Sequence, residues 1–515
     1  MKLNYKRTIL VGFAFFLISA FWQAYDATIP VILTNKFGMS QTYSGIIMAL
    51  DNILAVFMLP LFGAISDKCR SKQGKRTPFI TIGTIIAAVA LVALSFVDSA
   101  QLRNISDISR IDDPAALTAI YEQQADTALQ TPEGEEFILR EVFSKEDFST
   151  ITSKIQLASG TEIINPDYTS YVVPARQACA AAATAAQPAM LTLFIVLLLA
   201  ILIAMAIFRS PAVALMPDVT IKPLRSKANA VINLMGTAGG ILVLVLGIVF
   251  ATSAVENAMM TYWVYYGIVA ALMLGALAIF RLTVREPQWS GEMQAESLRL
   301  GIEETEDTGE KRSLSKAEKR SLILILASIA LWYIGYNAVT SKYSLYASSV
   351  LGMDYNSTLL LAQAAAIISY LPAGMIASKI GRKKTILAGV VMLSAAFAFA
   401  SFMRAGSSPL LMNVLFILAG IGWATINVNS FPMVVEMCSG ADIGRYTGYY
   451  YTASMAAQIV TPVFSGYLMD QMGMVILFPY AAVFAALAFL TMFFVKHGDS
   501  KAPTKQGLEA LDIED

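Results

Sequence analysis

The sequence predicts an all-α membrane protein of twelve transmembrane helices arranged as two pseudo-symmetric six-helix bundles. Three observations lead there. The 515 residues are 56% hydrophobic and 14% charged, with a mean hydropathy of +0.61, which is more apolar surface than a soluble chain can bury in a core. The apolar residues gather into twelve runs of about twenty or more, each long enough to cross a bilayer. The basic loops of the second half repeat those of the first. Formal net charge is zero, so nothing in the charge balance points to nucleic acid, and the charges are concentrated in the loops.

In chain order, Lys2, Lys6 and Arg7 precede a run from about Thr8 to Leu33. It is too long for a signal-peptide core and lacks a cleavage site, so it is expected to remain as the first span with its N-terminus inside. Further runs follow near 41–65, 79–97, 188–216, 228–252 and 260–282, and six more near 321–350, 356–378, 384–403, 409–437, 445–470 and 474–495. The expected domains are therefore an N-terminal bundle over residues 1–284 and a C-terminal bundle over 320–497, joined by a linker at 285–319 and followed by a tail at 498–515. The basic clusters Lys222/Arg225/Lys227, Arg281/Arg285 and Lys379/Arg382/Lys383/Lys384 all fall on one side of this topology and put both termini in the cytoplasm. An insert at 98–187, external on that topology, is rich in acidic residues and reads as helical over 113–130; a decorated loop and a ligand-capturing cap both suit it. The linker reads as solvated, ending in a helix that feeds the seventh span.

The most informative stretch lies between the second and third spans. Gly63 permits close helix approach, Asp67 ends the second span, Arg70, Lys72, Lys75 and Arg76 surround Gly74, and Pro78 opens the third. Gly374, Lys379, Gly381 and Arg382 to Lys384 repeat this loop after the eighth span, and Pro211 precedes Arg225 at nearly the interval that separates Pro432 from Arg445. The order D-K-C-R-S-K-x-G-K-R-x-P resembles the major facilitator superfamily, in particular the glycoside-pentoside-hexuronide:cation symporters and their relatives, the plant sucrose transporters and animal sucrose carriers. That resemblance implies alternating access around a substrate held between the halves near the midplane. It also implies a cytoplasmic gate of Asp67, Arg76, Asp218 and Arg445.

Ionisable residues inside spans are the strongest functional signal in such a chain, because uncompensated charge in hydrocarbon costs several kcal/mol. Asp51 lies near mid-depth on the second span and Arg209 near mid-depth on the fourth; Asp26 lies in the outer part of the first, beside Trp22, Gln23 and Tyr25. Lys342 and Glu256 fall near the outer surface, where long side chains snorkel. Overlaid on the melibiose-permease branch, two sodium-site aspartates fall on Ala55 and Leu59 and a third on Arg209, so a sodium site of that kind is not expected. FRSPAVALMPD is closer to the fourth helix of the sucrose-transporter side, although Leu202 stands near the acidic residue of the plant members. Asp51, Asp26 and Arg209 are thus the expected proton-coupling groups, a permanent structural ion pair being the alternative.

Aromatic rings and amides suit a pyranose, which stacks its CH face and needs paired donors and acceptors. Trp22, Tyr25, Asp26 and Arg209 on the first half, and Trp332, Tyr336, Asn337, Trp423 and Asn427 on the second, are the expected substrate contacts. Gln363 and Gln458 are further polar candidates, and packing is the competing role for each aromatic. The Gly-rich GTAGG of the fifth span reads as close helix packing. The expected function is that of a multi-pass cell-membrane transporter and not an enzyme: a monomeric secondary carrier importing a small glycoside or oligosaccharide with protons. A proton-driven carrier of another organic solute and a transport-inactive sensor on the same scaffold are the alternatives. Three scattered cysteines and one histidine match no metal spacing, no cofactor motif or phosphate-binding loop occurs, and no nucleophile–base pair occupies the spans.

Overall fold

The computed structural model describes residues 3–156, 162–220, 225–299, 314–435, 437 and 443–498. Six long helices build the first half: α1 (Tyr5–Asn35), α2 (Gln41–Asp67), α3 (Thr77–Asn104), α4 (Ala189–Asp218), α5 (Arg225–Val249) and α6 (Trp263–Thr283). Six build the second: α7 (Lys316–Tyr346), α8 (Tyr355–Ile380), α9 (Arg382–Ala400), α10 (Pro409–Val435), α11 (Ile443–Met472) and α12 (Leu477–Phe493). Among the described residues ten helices are long and apolar enough to cross a membrane. The remaining two of the twelve, α8 and α11, have 26 and 30 residues and carry polar side chains such as Asn356, Gln363 and Gln458.

Packing repeats with a shift of six helices. α1 packs on α5 and α6 as α7 does on α11 and α12; α3 on α4 and α6 as α9 does on α10 and α12; α2 on α4 as α8 does on α10. Each half has its own apolar core, while large side chains such as Phe57, Val89, Phe96, Ile368 and Phe399 stay exposed around the outside. A girdle of that size has lipid as its natural solvent. The fifth span packs closely on the first, as its glycines lead one to expect: a Cβ on Gly239 would stand 2.5 Å from the Phe16 carbonyl oxygen.

The halves meet through α2 with α11 and α5 with α8, pairs that the same shift interchanges. Asp470 of α11 accepts the Gln41 and Thr42 backbone N–H groups, each at 2.7 Å, and so caps α2 from the other half. On the related seam the Ser253 hydroxyl donates to Asp354 at 2.5 Å, and Tyr355 Oη and Asn356 Nδ2 donate to Thr252 Oγ1 at 2.9 and 3.0 Å. Lys342 does not snorkel. It is fully buried, and its ammonium donates to the Gln41 carbonyl at 2.9 Å, because at this end α7 is covered by the opposite half.

The third span runs beyond the apolar stretch to Asn104, carrying Asp98 inside the helix. It can do so because Asp98 is neutralised: Lys36 Nζ lies 2.6 Å from its Oδ1, with both side chains wholly buried. Lys36 also donates to the Met260 carbonyl at 2.7 Å and sits 4.6 Å from the centre of the Tyr262 ring. The rest of the insert is a small α/β unit with its own core, including Leu117, Ile120, Leu139, Phe148 and Tyr168. The segment read as helical is helical over Pro114–Gln124 and then turns into a strand, Ala128–Gln130, paired with Glu136–Ile138. A second hairpin pairs Lys154–Gln156 with Glu162–Ile164, and a helix, Val173–Ala186, returns the chain to α4.

Both hairpins rest on the second half. The tip of the first lies against the α11–α12 loop, where the Val475 N–H donates to the Pro132 carbonyl at 3.2 Å. Gly473 there has φ +83°, and a Cβ on it would meet the Gly134 nitrogen at 2.5 Å; Gly352, in the α7–α8 loop with φ +62°, would meet Ile164 Cδ1 at 2.4 Å. The insert thus straps one half to the other.

Two predictions follow from these contacts. A side chain at Gly473 is forced into the left-handed region at about 1–2 kcal/mol, about tenfold in the docked-to-undocked ratio, besides the clash. Gly473→Val should therefore speed maleimide labelling of a Thr131→Cys reporter about tenfold, on a Cys69→Ser, Cys438→Ser background. Cys179 can remain there, being buried with a thiol that burial pushes up to about 11. An unchanged labelling rate would show that this contact does not hold the hairpin. Separately, Asp98→Ala strands the Lys36 charge and should cost about 3–5 kcal/mol of stability, whereas the double change to Lys36→Met, Asp98→Leu should recover most of the thermal midpoint in detergent.

A candidate substrate cavity between the two halves

A cavity of about 190 Å³ lies near the middle of the bundle, with walls from both halves. Helical periodicity supplies its lining. α1 contributes Trp22 and Asp26 at i, i+4; α2 contributes Met48, Asp51 and Asn52; α4 contributes Arg209. From the second half come Asn337, Thr340 and Ser341 at i, i+3, i+4 on α7, and Gln458 and Pro462 at i, i+4 on α11. Asn52, Thr340 and Ser341 are absent from the expectations above. Their signal is present in the sequence as polar side chains on the same helical faces as Asp51 and Asn337.

The Arg209 guanidinium lies 5.7 Å from the centre of the Trp22 ring, and Trp22 in turn meets Tyr25 edge-on at 5.3 Å. Two residues further on, Pro211 cannot donate to the Ile207 carbonyl, which loosens α4 beside the arginine. Among the described residues Arg209 shares the cavity with Asp26 and Asp51 without closing a direct ion pair to either. Trp22 Nε1, Tyr25 Oη and Asn337 Nδ2 are buried donors with no protein partner. Toward the insert-bearing end, Gln363 Nε2 donates to Gln23 Oε1 at 2.6 Å across the seam.

The other expected contacts lie elsewhere. Trp332 is fully buried in the core of the second half and does not line this cavity, since its face of α7 points at the neighbouring helices. Tyr336 and Trp423 stack on each other with ring centres 3.6 Å apart, and Tyr333 meets Trp423 edge-on at 5.2 Å. They pack against that core and do not line the cavity. Asn427, on α10, is half-buried and also outside the lining.

At the end of the bundle that carries the termini, Arg76 Nε lies 2.7 Å from Asp218 Oδ2, and its Nη1 donates to Ser66 Oγ. The side chains of Asp67 and Arg445, the other two expected gate residues, lie outside the described residues. A further partner was not expected from the sequence. Glu286, at the start of a helix running Glu286–Arg299, accepts from the Arg76 and Thr77 backbone N–H groups at 2.9 and 2.8 Å and from the Thr77 hydroxyl at 2.7 Å. It is the N-terminal cap of α3, supplied from more than two hundred residues away. Gly74 has φ +110°, and a Cβ on it would fall 2.3 Å from the Glu286 carboxylate, so both the turn and the cap require glycine.

The described family of the Major Facilitator Superfamily matches residues 177–370 and 356–513, together more than half of the chain. The chain belongs to the major facilitator superfamily. A second family model of the superfamily, MFS/sugar transport protein, matches residues 10–101. Curated relatives match over short stretches. Sucrose transport protein SUC3 of Arabidopsis thaliana is 36% identical over 67 residues, 13% of this chain and 11% of that protein. MFS-type transporter ppzB of Metarhizium rileyi is 28% identical over 134 residues, 26% of this chain and 27% of that one. The matches therefore span well under a third of these relatives' lengths. Among solved structures, the inward-open xylose transporter XylE from E. coli superposes with a TM-score of 0.57 at 16% identity, covering 99% of this chain and 100% of that one. A peptide transporter, POT in complex with sulfate, gives 0.57 at 9% identity over 95% and 93%. At such identities the likeness is one of fold. As a major facilitator protein, the chain is a multi-pass integral membrane transporter.

The two tryptophans separate packing from binding. Trp332→Ala should cost about 3–5 kcal/mol of stability with ligand affinity retained in the folded fraction, whereas Trp22→Ala should lower affinity with a smaller loss of thermal midpoint. Equal losses in both quantities for Trp22→Ala would make it a packing residue.

Proposed function

We propose that this transporter moves a small glycoside or oligosaccharide together with protons by alternating access. The observation that carries the reading is one cavity between the halves that holds two carboxylates, one guanidinium, an indole face and several amide and hydroxyl groups. Two aspartates and one arginine leave a net negative charge when all are ionised, and one bound proton brings the set to neutrality. An ionised Asp51 attracts Arg209; once protonated, it releases the guanidinium to donate to sugar hydroxyls or to Asp26. Proton and sugar then favour each other through a single arginine, which is reciprocal linkage and hence symport. Asp26, on the same cavity wall, is the alternative proton carrier.

The substrate class is supported by the cavity residues Trp22 and Asn337, whose Nε1 and Nδ2 are unpartnered donors among the described residues and suit a ligand rich in acceptor oxygens; Tyr25, an expected contact, is buried outside the lining. The class is supported too by the resemblance of residues 10–101 to sugar-transport proteins. We take the insert-bearing end as external and the termini as cytoplasmic, from the basic loops at the opposite end. The described contacts between the halves cluster at the insert-bearing end, which matches a form whose cavity faces the cytoplasm.

Uptake into proteoliposomes under an imposed pH gradient, with sodium absent, tests this. One pH unit supplies about 1.4 kcal/mol per proton, about tenfold accumulation at one proton per solute. Wild type should accumulate a member of a glycoside panel to about that extent. Asp51→Asn should keep equilibrium exchange and lose pH-driven accumulation; Arg209→Ala should lose both. Continued accumulation by Asp51→Asn, or a wild type that responds to sodium and not to pH, would overturn the coupling scheme.

A further inference from the structure

A second, smaller cavity, of about 30 Å³, lies at the insert-bearing end. Tyr168 and Arg176 of the insert form one wall, and Ser348 and Ser349, which follow α7 in the second half, form the facing one. Arg176 is 3% exposed. Its Nη1 donates to Tyr168 Oη at 2.5 Å, and its guanidinium carbon lies 5.4 Å from the centre of the Tyr168 ring. Nε and Nη2 are buried and have no partner among the described residues.

A guanidinium cannot shed its charge by deprotonating, so burial leaves a full positive charge that an anion or a strong acceptor must balance. No carboxylate is in direct ion-pair contact with Arg176 among the described residues. Asp112 accepts from the Ser153 N–H and hydroxyl, both at 2.6 Å, and Glu256 is ion-paired to Lys154. The Asn35 carboxamide oxygen, also at the cavity, is taken by Gln177 Nε2 at 2.7 Å. Residues 157–161, the part of the insert outside the described residues, contain neither Asp nor Glu. Tyr168, accepting from Arg176, keeps its own proton to donate. Among the described residues, Tyr168 accepts from Nη1 while Nε and Nη2 are left without an acceptor.

We propose that this cavity binds a small monovalent inorganic anion, chloride in a physiological medium, on Arg176 Nε and Nη2. A water needs at least about 10–15 Å³ of such space, so the volume admits one particle of about that size at the guanidinium. Because the facing walls belong to different halves, the ion is retained only while they meet. It therefore stabilises the state closed at this end.

Full-length protein in detergent provides the test. Replacing gluconate by chloride at constant ionic strength should raise the wild-type thermal midpoint saturably, by about 2 °C or more, with bromide acting likewise. Arg176→Gln should abolish the response. No chloride effect in wild type, or a saturable one that persists in Arg176→Gln, would overturn the assignment. A second measurement needs no variant: crystals grown in bromide should show an anomalous peak between Arg176 and Ser349. A site holding water only, without bromide, would equally sink the proposal.

Discussion

A charge placed where water cannot reach must be met by an opposite charge or by dipoles, and most of this molecule's fixed points are solutions to that constraint. Lys36 and Asp98 neutralise each other inside the first half. Arg76 meets Asp218 at the opposite end, while the neighbouring backbone of α3 is satisfied by Glu286. Lys342 is held by a carbonyl across the seam. Against this background Arg209 and Arg176 differ, because neither has closed an ion pair with a carboxylate among the described residues. Both are placed at cavities, one central and one beneath the insert. Paired charges anchor the scaffold, and the two left open lie at the cavities proposed for the solute and the anion.

The two-fold repeat extends to how the halves are held together. At one seam a carboxylate from α11 caps the start of α2; at the other the start of α8 is tied to the end of α5 by hydroxyl and amide groups. Helix N-termini expose backbone donors that must find partners. At α2 those partners come from the opposite half, so closure of the seam and completion of the helix are the same event; α8 is capped by its own Asp354, and the Ser253 hydroxyl joins that cap from across the seam. A rigid-body motion of one half then trades these bonds for water at a definite place.

Much of this was legible in the sequence. Apolar runs and basic loops mark the spans, and the expectation that Asp51 and Arg209 lie at similar heights on neighbouring helices agrees with their lining one cavity. Side-chain direction was harder to read. Trp332 and Asn337 share a helix, yet one faces the core and the other the cavity, and which face points inward depends on neighbours brought in by the fold. Tyr336 and Trp423 were recognisable as aromatic but not as each other's partner. The long-range contacts left least trace. Glu286 at the cap of α3, Gln41 beneath Lys342 and Gly134 on Gly473 all join residues far apart in the chain, and no local period encodes such pairings.

The strap formed by the insert has a kinetic meaning. Its two hairpins bear on loops of the second half at Gly352 and Gly473, well away from Asp51 and Arg209. Whatever energy those contacts contribute is added to the closed form alone and enters the barrier for reopening without touching the groups that choose the solute. On the proposed cycle, turnover and selectivity are therefore separable: a change confined to the insert would alter how often the carrier cycles and leave the groups of the central cavity untouched.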